Sequence, residues 1–78
     1  MDIHNLVTMA NRIGDFFESM PDAEEAQRDI ANHIAKYWEP RMRRTLLDQL
    51  DADATRDLHR AVRAALLSHR DQLMPKHG

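Results

Sequence analysis

A chain of 78 residues with 13 acids, 11 lysines and arginines, five histidines and no cysteine carries a formal charge of −2. That length allows one domain around one core, and the missing cysteines exclude a disulfide framework, a thiol nucleophile, thiolate-bound zinc and iron–sulfur ligation. No run is apolar enough to cross a bilayer, and Met1-Asp2-Ile3-His4 lacks a basic and then apolar leader, so the cytoplasm is the expected compartment.

Helix-forming residues fill most of the chain, and apolar side chains recur at three-and-four spacing throughout. The first predicted helix, about 3–19, carries Ile3, Leu6, Val7, Ala10, Ile13 and Phe17 on one face. Gly14 lies on that face, where it weakens the helix but lets another backbone come close. Pro21 then breaks the pattern, and Asp22 with Glu25 has the spacing of a capping box. The second helix, about 22–38, turns Ala23, Ala26, Ile30, Ile34 and Tyr37 inward and ends on Trp38. Trp38 is expected to anchor the junction with the next helix, and Pro40 to occupy that helix's first turn.

The third helix, about 40–50, is short and carries Met42, Leu46, Leu47 and Leu50. Asp53 offers a cap for a fourth, about 54–72, with Leu58, Ala61, Val62, Ala65 and Leu66 inward. A frayed tail of about 73–78 is expected around Pro75. With no alternating pattern long enough for a strand, the expected architecture is all-α: one domain, 1–78, built as a small bundle of four helices.

Chemistry has little to stand on in this pattern. His4, His33, His59, His69 and His77 show no zinc-ligand spacing with one another or with an acid. His33, between Ile30 and Ile34, is the histidine nearest the expected core. Neither glycine belongs to a phosphate-cradling loop. No catalytic, cofactor-binding or metal-binding residue is expected, and no cofactor.

Side chains left outside the core faces point instead to association. Met9, Phe16 and Met20 make a second apolar stripe on the first helix. Arg41, Arg43 and Arg44 form a basic cluster in which Arg44 has Asp48 one turn on, whereas Arg43 projects among leucines and needs an internal or external acceptor. Leu67 lies opposite the core face of its helix, flanked by Arg56, Arg60 and Arg63. Charge is also uneven: residues 1–39 hold eight acids and three bases, residues 40–78 five acids and eight bases. Such a molecule can orient against a partner, or its halves can attract each other.

Leu6-Val7-x-Met9-Ala10-Asn11-x-Ile13, Phe16-Phe17 with Pro21, and His33-Ile34-x-Lys36-Tyr37-Trp38-x-Pro40-Arg41-Met42-Arg43 resemble the delta subunit of NAD-dependent formate dehydrogenase. Leu46-Leu47 and Ala61-Val62-Arg63-x-Ala65-Leu66 are similar as well, so the resemblance spans about residues 3–67. Where it leads one to expect glycine after Leu50, this chain has Asp51-Ala52-Asp53-Ala54. The resemblance implies a small subunit of a soluble, molybdenum-containing enzyme whose molybdopterin, iron–sulfur clusters and flavin sit in its larger subunits. It also implies a role in assembly or stability of that complex. A nucleic-acid-binding module using the Arg41–Arg44 cluster is the alternative, but Asp48, Asp51, Asp53 and Asp57 dilute that charge. A free-standing helical homo-oligomer is the other.

Overall fold

The computed structural model describes residues 2–76 and contains helices and turns but no strand among them. Helix α1 spans Ile3–Phe17, α2 Ala23–Tyr37, α3 Pro40–Asp48, α4 Arg60–Ser68 and α5 Arg70–Leu73, with a single 3-10 turn at Asp53–Thr55. The architecture is a small all-α bundle.

Local chemistry sets the helix ends. Asp2 accepts from the N–H of His4 at 2.9 Å, and Asp22 accepts from those of Glu24 and Glu25 at 3.0 and 3.3 Å. These bonds satisfy N–H groups that the first turn of a helix leaves unpaired. The reciprocal half of the expected capping box, from Glu25 back to Asp22, does not form. Pro40 occupies the first turn of α3, where it has no N–H to leave orphaned.

The core draws on every helix. Leu6, Val7 and Ala10 of α1 meet Ile30, Ala31 and Ile34 of α2, Leu46 and Leu47 of α3, Val62, Ala65 and Leu66 of α4, and Leu73 of α5. Helix α2 makes its broadest contact with α4, and α3 packs across α1 and α5. The radius of gyration is 11.4 Å, against about 11.5 Å for a folded chain of this length.

Five expectations need correction. Tyr37 is not inward: it is 64% exposed, whereas its neighbour Trp38 is 6% exposed. Tyr37 follows half-buried His33 by one turn at the edge of the core face. Trp38, four residues after Ile34 and seven after Ala31, stays in line with both and reaches the core from an extended C-cap (φ −91°, ψ 137°). Ala31 fills the place next to Ile30 and Ile34, while Ala23 lies exposed. The expected helix over about 54–72 is in fact the 3-10 turn, an irregular stretch, α4 and α5. Its cap is His59, whose Nδ1 accepts from the N–H of Ala61 at 3.1 Å, not Asp53. The tail is not frayed at its start either, because Leu73 is fully buried and Met74 packs against the core; His77 lies outside the described residues.

The stretch between α3 and α4 holds its shape through polar bonds to backbone. Thr55 is fully buried, with its hydroxyl 2.7 Å from the carbonyl of Gln49 and 3.1 Å from those of Leu50 and Ala52. Arg63 donates to the carbonyls of Leu50, at 2.8 Å, and Thr55. Asn11 of α1 donates to the carbonyl of Asp57 at 3.1 Å and accepts from the N–H of His59 at 2.6 Å. No described residue has a positive φ, so Asp51-Ala52-Asp53-Ala54 needs no glycine to make this turn.

Candidate functional site

Residues suited to association lie on several faces. Phe16 is 76% exposed, Leu67 59% and Met9 38%, whereas Met20 is partly buried. The expected stripe of Met9, Phe16 and Met20 is therefore not one patch. Phe16 borders a groove of about 270 Å³ between α1 and α2, lined by Arg12, Ile13, Phe16, Phe17 and His33. Met20 borders a separate hollow of about 620 Å³ beside Pro21, walled by Ala23, Ala26, Ala61 and Ala64.

The basic cluster divides in two. Arg43 turns inward, and its Nη1 donates to the carbonyl of Ala35 at 3.1 Å. That carbonyl belongs to the last turn of α2, where helical donors run out, so Arg43 caps α2 with a charge of the favourable sign. Its Nε is buried without a partner, which adds a cost to holding this corner. Arg41 stays exposed and Arg44 half-exposed, and the anticipated Arg44–Asp48 ion pair does not form within 4 Å. Arg63 is likewise unavailable to surround Leu67, since it holds the carbonyls of Leu50 and Thr55. Arg56 pairs loosely with Asp57 at 3.9 Å on the surface.

Two other groupings were hidden in the sequence. The first joins Asp15 of α1 and Glu18 at its C-terminal cap to His59, whose Nε2 lies 3.5 Å from the former carboxylate and 3.1 Å from the latter. These three could in principle offer a metal ion one ligand atom each. The hydrogen bonds argue for another role. Nδ1 accepts from Ala61, which places the neutral ring's proton on Nε2, directed at Glu18. A metal on Nε2 would force that proton onto Nδ1, against the N–H of Ala61. The imidazole is arranged as a clasp between the end of α1 and the start of α4.

Gly14 sits beneath this clasp. A Cβ added there would lie 2.6 Å from Cγ of His59 and 2.8 Å from Cγ2 of Val62, closer than real side chains approach. The Asp15/Glu18 spacing was visible in the sequence, but the histidine that completes the cluster stands 41 residues beyond Glu18.

The second grouping is a row of rings across α1 and α2. Phe16 packs edge-on against Phe17 at 4.9 Å between centroids, Phe17 lies 6.3 Å from His33, and His33 lies 4.7 Å from Tyr37. Lys36 stands 5.4 Å over the Tyr37 ring, within reach of a cation–π contact. The i, i+4 spacing of Arg12 with Phe16 and of His33 with Tyr37 was the sequence signal for this surface.

No described helix is long and apolar enough to cross a membrane. No curated protein and no solved structure matches the chain. The family model of the NADH-dependent formate dehydrogenase delta subunit FdsD matches residues 5–66, which takes in the Asp22 and His59 caps, the α2–α3 corner, the Thr55 turn and nearly all of α4. By that match over most of its length, the chain belongs to the formate dehydrogenase delta subunit family.

Proposed function

We propose that this chain is a non-catalytic accessory subunit that supports the assembly or stability of an NAD-dependent formate dehydrogenase complex. The family match over residues 5–66 carries the reading. Two features of the molecule favour it. Its interior is filled by its own side chains, with histidine, arginine and threonine committed to helix ends and loop carbonyls. Meanwhile Phe16, Tyr37, Leu67 and Met9 remain outside the core, an apolar surplus suited to a subunit seated on a larger protein.

In this reading the partners are the larger subunits, which carry the molybdopterin, iron–sulfur clusters and flavin, and the compartment is the cytoplasm. The chain holds no cofactor and engages neither nucleic acid nor membrane. Arg41 and Arg44 are free to meet acids on those subunits, while Arg43 acts indirectly by holding the corner from which they project.

The test compares complexes prepared with and without this chain. Its deletion should lower the yield of assembled, cofactor-loaded complex while leaving formate oxidation per molybdenum unchanged. A large fall per molybdenum, in complexes shown to be intact and fully loaded, would give the subunit a direct part in catalysis and overturn the accessory role.

A further inference from the structure

We infer that the groove between α1 and α2 is where a larger subunit seats a segment with an exposed apolar side chain beside a carboxylate. This deepens the accessory-subunit reading and rests on it. The groove's walls are Ile13, Phe16, Phe17 and His33, and Arg12 is its one permanently charged lining residue. Its volume of about 270 Å³ falls just below the range of about 300–1,000 Å³ typical of pockets for cofactors and drug-sized ligands. It suits one or two protein side chains.

The wall is organised before any partner arrives. Phe16, although 76% exposed, is held edge-on against Phe17, and the row continues through His33 to Tyr37. Rings with few rotatable bonds, already braced, lose little freedom on binding. Aromatic side chains of this kind form the centre of protein interfaces more often than the rest of a surface does.

Charge selects the occupant. Arg12 has no ion-pair or hydrogen-bond partner among the described residues, although the chain holds more acids than bases. The acids that follow it, Asp15 on α1 and Glu18 at its C-terminal cap, face His59 at the junction with α4. On α2, Lys36 places a second positive charge beside Tyr37 at the far end of the row. Asp29 and Glu39, the acids nearest this part of α2 in sequence, do not line the groove. An aromatic floor with an unpaired guanidinium at the groove and an ammonium at the other end is complementary to an apolar side chain flanked by Asp or Glu.

The experiment co-expresses the tagged full-length chain with the other subunits of its complex and measures how much complex it retains. Phe16→Ala should weaken retention at least about tenfold, as loss of a central aromatic contact does. Arg12→Glu should do the same, and Arg12→Lys should restore most of the binding at low salt. Leu67→Ala and Arg41→Glu, which probe the other exposed contacts, should each weaken retention less than either groove variant does. Thermal unfolding of each isolated variant checks that it is folded, and Arg12→Glu gives a second test should Phe16→Ala lose structure.

Wild-type retention by both groove variants, with loss in Leu67→Ala or Arg41→Glu, would move the docking face and overturn the inference while leaving the accessory role standing. If sedimentation shows the isolated chain as a dimer that Phe16→Ala dissociates, the occupant is a second copy and the inference fails. If the wild-type chain neither co-purifies with the complex nor affects its yield, the accessory reading itself falls.

Discussion

Tyr37 and Trp38 are adjacent aromatic residues with opposite fates, and the contrast extends to the whole α1–α2 layer. Trp38 enters the core beside Ile34, while Tyr37 lies outside with His33 and Lys36 beside it. On α1, Gly14 is pressed against His59 and Val62, whereas Phe16, two residues on, is bare to solvent. The inner face is filled so closely that one position lacks room even for a methyl group. The outer face carries larger rings and covers them with nothing of its own. Apolar content alone therefore does not separate core from contact surface in this chain. Helix ends and backbone approach do.

The sharpest way to break this contrast is to truncate the two neighbours in turn. Trp38→Ala should cost about 3–5 kcal/mol, as other buried aromatic truncations do. A domain of this size has a net stability of only about 3–5 kcal/mol, so much of the isolated variant should be unfolded at 25 °C. Tyr37→Ala should stay within about 0.5 kcal/mol of wild type, in the range of exposed substitutions. Chemical denaturation of the isolated chain measures both. Equal losses would mean that Tyr37 is a core residue after all and that the outer row is structural.

Gly14→Ala tests how tightly the inner face is closed. Alanine should gain about 0.5–1 kcal/mol of helix preference over glycine. Against that, its Cβ meets the root of the His59 ring at 2.6 Å and Val62 at 2.8 Å. Neither neighbour yields easily: His59 is hydrogen-bonded through both ring nitrogens, and Val62 is fully buried with a branched side chain. Overpacking of this kind costs about 1–3 kcal/mol. The expected net result is a loss of about 1–2 kcal/mol, read as a lower denaturation midpoint with an unchanged slope. A more stable variant would show that α1 and α4 slide apart without penalty.

Periodicity made the inner face legible. Leu6, Val7, Ala10, Ile30, Ile34, Leu46, Leu47, Val62 and Leu66 all follow the helical repeat into the core. The stop at Pro40 and the anchoring place of Trp38 were legible too, but the exposure of Tyr37 was not. Tyr37 lies four residues after half-buried His33, at the edge of the face on which Ile34 and Trp38 are buried. The stretch before α4 looked helical because its residues favour helix. Bonds over long sequence separations decide otherwise: Asn11 holds residues 57 and 59 from 46 and 48 positions away. The outer groove was only half visible. Phe16 stood out as surplus, but Arg12 became significant only once Asp15 and Glu18 were seen turning toward His59. Arg43 shows the converse, a charge whose acceptor could have been internal or a partner's and that is spent on the end of its neighbouring helix.

Phe16→Ala should have the smallest effect on the isolated chain, and that smallness carries meaning. Its ring is 76% exposed, so truncation removes little buried area. The edge-on contact with Phe17 contributes about 0.5–1.5 kcal/mol beyond area when such pairs are buried, and less where water reaches both rings. Alanine's better helix preference, up to about 0.7 kcal/mol over ordinary residues, offsets that loss. The net change should therefore lie within about 0.5 kcal/mol, a Tm shift of at most about 4 °C in a domain this small. Calorimetry or thermal circular dichroism of the isolated chain checks it. A drop of more than about 1 kcal/mol would mean that Phe16 braces α1 against α2, and the contrast between the two faces would collapse. A near-zero change leaves a large, fixed, solvent-exposed aromatic ring that does nothing for the fold of its own chain. Such a ring is free for the partner contact inferred at the α1–α2 groove.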